Sequence, residues 1–160
     1  MGLMLSPETL RRYPFFAGLA GTALEEMAIA GEEVRIRQGE CLFREGDAAE
    51  ALYLIVEGEA EIRVPLSYDG RGDVTVSERG SGEIIGWSAL VEPFCYQMSA
   101  YAASDCRLAK LPGARLRQLM AADPKVGYAL SSRLLRIIGD RLQDMRVRFA
   151  SLVEEVVVGS

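Results

Sequence analysis

Few residues in this chain can do covalent or proton chemistry, and their spacing argues for binding over catalysis. There is no histidine among the 160 residues. That removes a histidine base, a histidine proton switch and histidine metal ligation. The three cysteines, Cys41, Cys95 and Cys106, stand far apart and form no C-x-x-C pair. A structural zinc site is therefore not expected. No G-x-S-x-G nucleophile elbow occurs. Glu57 and Glu59 are paired carboxylates, but they flank Gly58 in a turn and read as structural. What remains is the stretch GSGEIIGWSALVEPFCYQMSAY, which holds the only tryptophan and lies within a run without Arg or Lys between Arg79 and Arg107.

The elements that must position this stretch follow from composition and pattern. With 49% apolar and 26% charged residues, the chain lies in the range of folded soluble domains, and disorder is excluded for most of it. Its length suggests one domain. The net charge of −5 and pI near 4.9 disfavour non-specific attraction to DNA or anionic membranes. No apolar run approaches the roughly 20 residues of a membrane span. The start, MGLMLSPETLRRYPFF, has no signal-peptide core. Odd-numbered thiols without a signal lead us to expect a cytoplasmic protein with reduced cysteines. Met1-Gly2 with Ser6 matches the myristoylation pattern, a match short enough to arise by chance.

Three segments are expected. Residues 1–31 carry N-terminal helices. Ser6 caps, Pro7 takes the first helical position, and a second helix runs from Thr22 to Ala30 and ends at Gly31. Residues 32–112 read as short strands. Val34 and Ile36 alternate with Arg35 and Arg37, and turns fall at Gln38-Gly39, Glu45-Gly46-Asp47, Glu57-Gly58-Glu59, Tyr68-Asp69-Gly70 and Gly80-Ser81-Gly82. Such spacing suggests an all-β sandwich, roll or barrel, not a doubly wound sheet. Residues 113–160 are helical again, with Asp123-Pro124 opening a long helix. On it Leu134, Ile138, Leu142, Met145, Phe149, Leu152 and Val156 recur at steps of three and four, as in a coiled-coil seam. Arg133, Arg136, Arg141, Arg146 and Arg148 make the same helix basic, most simply as a solvated flank.

The run from Gly39 to Val64, GECLFREGDAAEALYLIVEGEAEIRV, resembles the cyclic nucleotide-binding domains of the catabolite activator and protein kinase A regulatory type. The Gly39-Glu40 turn, the Glu45-Gly46-Asp47 turn and Gly58 carry the resemblance. Gly80 to Leu90 resembles that family's phosphate-binding cassette in position, and Asp105-Cys106 with Leu108, Lys110 and Leu111 resembles the strand after it. The resemblance covers roughly residues 10 to 150. It implies a mainly β fold with flanking helices, a cupin-like double-stranded β-helix or β-roll (a jelly roll) of eight strands, and a long C-terminal dimerisation helix. Members often continue into a helix-turn-helix domain, which is not recognisable here. A stand-alone sensor and part of a longer regulator both remain open.

The cassette departs from the family where the ligand is held. The resemblance places ligand-binding positions at Gly86, Trp87, Ser88, Ala89, Leu90, Tyr96, Gln97 and Ser99, with Arg141 on the helix that closes over the base. Trp87 stands where the family has the ribose-binding glutamate. Tyr96, with Gln97 beside it, stands where it has the phosphate-binding arginine. A phosphate would depend on backbone amides from Gly86 to Leu90 and on the Ser99 hydroxyl. Losing an arginine–phosphate pair costs on the order of 1.5–3 kcal/mol. Weak binding of cyclic AMP or cyclic GMP, or none, is therefore expected. Two readings of Trp87 stand, a core filler or one wall of a pocket for a flatter, more apolar ligand. Tyr96 and Gln97 either bond a neutral ligand or only build loop and strand. Arg141 either supplies the missing cation or is a solvated arginine pairing with Asp144. Cys106 reads as a small buried residue. A redox role stays open for Cys95, and Cys95, Met98 or Tyr96 could serve in haem chemistry only as unusual ligands.

The function expected is a non-catalytic sensor or regulatory domain without a resident cofactor or metal. Its expected partners are a second copy through the C-terminal helix and a small molecule or protein, without nucleic-acid or membrane contact. The alternatives are a dimerisation or protein-interaction module with a vestigial pocket, and the sensor part of a transcription regulator without its helix-turn-helix domain.

Overall fold

Short strands ended by tight turns can pair only with their neighbours across hairpins or with strands returning from a distance, and both occur here. The structure, a computed structural model, describes residues 2–66 and 72–159. The expected turn at Tyr68-Asp69-Gly70 lies outside the described residues. The elements are β1 (Leu3–Met4), α1 (Pro7–Arg11), α2 (Gly21–Ala30), β2 (Glu32–Ile36), β3 (Cys41–Phe43), β4 (Ala51–Glu57), β5 (Ala60–Pro65), β6 (Asp73–Arg79), β7 (Ile84–Ile85), a 3-10 turn (Trp87–Leu90), β8 (Ser99–Ala102), β9 (Cys106–Pro112), α3 (Gly113–Ala122) and α4 (Pro124–Val158). The strands pair antiparallel in two sheets, ordered β1-β2-β9-β4-β7 and β3-β8-β5-β6. This is the mainly β roll with flanking helices that the sequence predicts.

The helical N-terminal segment is interrupted. Ser6 caps α1 by accepting from the Glu8 N–H at 3.2 Å. The helix stops at Arg11, because Pro14 disfavours helical geometry at Tyr13 before it. Phe15 and Phe16 follow, buried edge to face with centroids 5.0 Å apart. The short strand β1 pairs with β2 and is too brief to show in a pattern of alternation.

The centre of the core is β4. Its residues Ala51 to Val56 are all buried, since β4 has one face in the roll and the other under α3 and the 3-10 turn. β5 is half-buried, with Ala60 and Ile62 inward. The hairpin between them turns at Gly58, whose φ is +94°. A Cβ there would lie 2.4 Å from the Asp105 carbonyl oxygen. Both the left-handed conformation and the close approach of the two backbones require glycine.

The 35-residue helix α4 is about 52 Å long at helical rise. Asp123 caps it by accepting from the Lys125 N–H at 3.0 Å, with Pro124 in the first turn. Val126, Leu130 and Leu134 are buried against the body. Leu134 was expected in a seam between chains; it instead lies in this chain's own core, and Ile138 also packs against that core. From Leu142 onward the stripe is open to solvent, with Leu142, Met145, Phe149, Leu152 and Val156 all more than half exposed.

Candidate functional site

A cavity of about 470 Å³ lies between the roll and the middle of α4. Its floor carries Phe43, Ile85, Gly86, Trp87 and Tyr96, and its sides carry Ile62, Val76 and Met98. Ile138, Arg141, Leu142 and Met145 of α4 face it from above. The lining is mainly aliphatic and aromatic, as is usual for a small-molecule site.

Gly86 makes the floor possible. Its φ is +77°, and it caps the 3-10 turn. A Cβ there would come within 3.1 Å of the Ala51 oxygen and 3.3 Å of the Phe43 and Tyr96 rings. The turn carries Trp87 and Ser88 into the cavity wall. Ala89 and Leu90, expected as ligand positions, do not line the cavity. Ala89 is fully buried, its N–H donates to the Gly86 oxygen, and its own oxygen accepts from Arg117 at 2.5 Å. Leu90 packs against the core.

Tyr96 lines the cavity with its ring, but its hydroxyl is engaged elsewhere. The hydroxyl donates to the Ala51 oxygen at 2.6 Å and accepts from the Ala51 N–H at 3.4 Å. β7 pairs with β4 only at Tyr53 and Leu54, so the hydroxyl stands where a strand partner of Ala51 would. The ring stacks on Phe43 with centroids 3.8 Å apart and is 5% exposed. Burial pushes the phenol up from its ordinary pKa. Gln97 lines the cavity, and its amide donates to the Cys95 oxygen at 3.2 Å.

Ser99 is not part of this arrangement. On β8, Ala100 and Ala102 are buried in the roll, so Ser99 and Tyr101 take the other face. The Ser99 hydroxyl accepts from the Glu45 N–H at 2.9 Å and borders a separate, open recess beside Arg44, Arg63 and Tyr101. Ser99, expected as a ligand position, lies outside the cavity lining.

The cavity's cations come from outside the cassette. Arg141 turns inward and donates to the Ile84 oxygen at 2.6 Å. Of its two expected readings, the solvated one beside Asp144 is not adopted. Burial lowers its pKa to about 10, with the nearby charge of Arg79 acting in the same direction and Glu83 opposing. Arg79, at the end of β6, pairs with Glu83 at 3.6 Å, while its Nε is buried with no hydrogen-bond partner among the described residues. Arg148 donates to the Val76 oxygen, and Arg133 to the Phe15 oxygen at 2.8 Å. The basic face of α4 therefore does more than meet solvent, since three of its arginines tie the helix to backbone carbonyls of the body. Phe43, Ile62 and Arg79 were not anticipated as site residues. Arg79 was visible in the sequence only as the last cation before the run without Arg or Lys.

The cysteines fit the reading of small, unlinked side chains. All three are free, Cys106 is buried with its thiol pushed up by burial, and the Cys95 thiol donates to the Gly46 oxygen at 3.2 Å. No group of His, Cys, Asp and Glu suited to a metal ion occurs among the described residues, and no described helix is long and apolar enough to cross a membrane.

Comparison with known proteins places this geometry. A solved structure of a candidate cyclic nucleotide-binding protein from Geobacter metallireducens GS-15 superposes with a TM-score of 0.77 at 33% identity, over 87% of this chain and 99% of that one. A CRP-like cAMP-activated global transcriptional regulator of Mycobacterium tuberculosis is 27% identical over 154 residues, 95% of this chain and 65% of the regulator. A candidate potassium channel protein of Rhodopseudomonas palustris is 29% identical over 148 residues, 90% of this chain and 35% of that protein. The chain thus spans only part of the length of both curated relatives. Residues 33–123 match the sequence profile of the cyclic nucleotide-binding domain, which takes in β2 through α3 and the whole cavity floor. On that match, and on a shared fold at one-third identity, the chain belongs to the cyclic nucleotide-binding domain family.

Proposed function

We propose that the chain is a ligand-sensing domain, not a catalyst, whose cavity has lost the means to hold a cyclic mononucleotide tightly. The observation that carries this is the hydroxyl of Tyr96. The residue at the phosphate-binding arginine position is neutral, buried and hydrogen-bonded to the Ala51 backbone. Trp87 adds to it by presenting an indole where a ribose-binding carboxylate is expected. An arginine–phosphate fork contributes on the order of 1.5–3 kcal/mol, so its absence alone weakens a nucleotide at least roughly tenfold. Occupancy of the cavity would act on α4, because Ile138, Arg141, Leu142 and Met145 face any occupant directly. A response requires a ligand with different affinity for two packings of that helix.

A second reading, a dimerisation module with an idle cavity, is favoured by the exposed stripe from Leu142 to Val156. Its three- and four-residue steps match a two-helix seam, and a second copy of α4 is the occupant we propose for it. The two readings are compatible if the cavity sets the pose of the seam.

Calorimetry and thermal-shift titration with cyclic AMP, cyclic GMP and cyclic dinucleotides test the sensing reading. A ligand at a hundred times its Kd stabilises the native state by about 2.7 kcal/mol, which raises Tm by roughly 5 to 11 °C for a domain of this size. No such shift is expected with cyclic AMP or cyclic GMP below millimolar concentration. A micromolar Kd for either would overturn the proposal.

A further inference from the structure

We infer that the cavity between the roll and α4 takes an apolar carboxylic acid, an aryl or medium-chain alkyl carboxylate, with its charged end between Arg79 and Arg141. This rests on the sensing reading above and names the class of ligand for the same site.

Three observations converge on this class. The space is walled by Ile62, Val76, Trp87 and Met98, side chains that suit a hydrocarbon body and hold no carboxylate for a ribose hydroxyl. Three guanidinium groups, those of Arg79, Arg141 and Arg148, line the same cavity, and the first two act on one another as like charges, with Glu83 opposing. The desolvated Nε of Arg79 has no acceptor among the described residues. A guanidinium carries five N–H donors and pairs with a carboxylate through two of them. One carboxylate, paired through the outer N–H groups of the two guanidiniums, would relieve the repulsion. Glu78 and Asp144, the carboxylates of the cavity lining, are exposed to solvent, and the Glu83 carboxylate already accepts from the Gly80 N–H at 2.7 Å.

The polarity of the site opposes that of a nucleotide. The cations lie on β6 and α4, while the cassette side offers the Trp87 indole and the Tyr96 ring. A ligand here would place its apolar part against the cassette and its charge toward the helix.

Trp87 is the only tryptophan, so its emission reports occupancy directly. The purified chain would be titrated with octanoate and 4-phenylbutanoate, and in parallel with octanamide, 4-phenylbutanamide and cyclic AMP. The amides match the acids in shape but lack the charge. The expected result is saturable binding of at least one acid with a Kd about tenfold or more below that of its amide. That preference should vanish in Arg79→Gln and in Arg141→Gln, each first checked for a native circular dichroism spectrum. The acid–amide comparison on the unaltered protein stands even if neither variant folds. Equal binding of acid and amide would overturn the inference while leaving a ligand-sensing cavity. No saturable change with any acid also overturns it. Micromolar binding of cyclic AMP with no binding of the acids would overturn both the inference and the sensing reading on which it rests.

Discussion

Replacing Tyr96 by phenylalanine isolates the hydroxyl on which the functional reading depends. The ring would keep its stack on Phe43 and its buried position, so nothing but the oxygen is removed. That oxygen both donates to and accepts from Ala51, at 2.6 and 3.4 Å, at a point of β4 that its short neighbour β7 does not reach. Its loss leaves a backbone N–H and C=O facing an apolar ring. Leaving a buried polar group unsatisfied costs about 1–3 kcal/mol. For a domain of this size that lowers Tm by roughly 2 to 12 °C. Urea unfolding followed by Trp87 emission, with scanning calorimetry beside it, would measure the change. A loss under about 0.5 kcal/mol at unchanged m-value would refute the reasoning, because it would show that the hydroxyl is not fixed on Ala51. Tyr96→Arg extends the test. It introduces a guanidinium where the ring is 5% exposed, and the loss should exceed about 3 kcal/mol. Tight cyclic AMP binding by a stable Tyr96→Arg protein would instead mean that one substitution restores the cassette.

Three further outcomes are expected. Met145→Glu with Phe149→Glu should give monomers by light scattering where the unaltered chain is a dimer; a monomeric unaltered chain would dismiss the seam. Gly58→Ala should destabilise well beyond Gly39→Ala in chemical denaturation. Both glycines have φ near +90°, but only Gly58 has backbone within 4 Å of an added Cβ. Equal losses would mean that left-handed strain of about 1–3 kcal/mol accounts for both and that the contact with Asp105 yields. Tyr53 should be among the last tyrosines to ionise in an ultraviolet titration, since burial first and Tyr96 next raise its pKa from 10.0 to about 12. The folded state holds the phenol protonated more tightly than the unfolded state. Its contribution is therefore complete below pH 10 and is lost as pH rises from 10 to about 12. Arg141 works in the opposite direction, its lowered pKa adding stability as pH rises above about 10. Comparing Tyr53→Phe with the unaltered chain across that range separates the two, and equal slopes would contradict the burial of Tyr53.

Much of the fold was legible because turns leave marks that few residues can replace. Gly58 sits in a conformation and a contact that a Cβ would forbid, so its spacing from Gly39 and Gly46 speaks for the roll directly. Asp123-Pro124 located the start of α4 for the same reason, since a cap and a prolyl first turn are chemical requirements of a helix end. The seam was legible only in part. Leu134 obeys the same three- and four-residue spacing as Leu142 and Phe149, yet one end of α4 faces its own core and the other faces solvent. Periodicity does not tell the two apart. At the site, position in the cassette located Gly86, Trp87 and Tyr96, but not the direction of the Tyr96 hydroxyl, which depends on how far β7 extends along β4. Alternation on β8, with Ala100 and Ala102 inward, could have assigned Ser99 to the outer face. Arg79 could not be read locally, because its partner across the cavity lies on α4.

The unequal burial of α4 has a mechanical consequence. The helix is clamped by buried side chains at Val126, Leu130 and Leu134 and is held farther along chiefly by the tethers of Arg141 to the Ile84 oxygen and Arg148 to the Val76 oxygen, which makes it a lever with its fulcrum near Leu134. Arg141 lies about 10 Å beyond that fulcrum and Val158 about 36 Å beyond it, at helical rise. A rigid tilt that moves Arg141 by about 1 Å therefore moves the far end by roughly 3 Å. Small adjustments to a cavity occupant would be magnified along the arm, and the stiffness of one helix would set the gain.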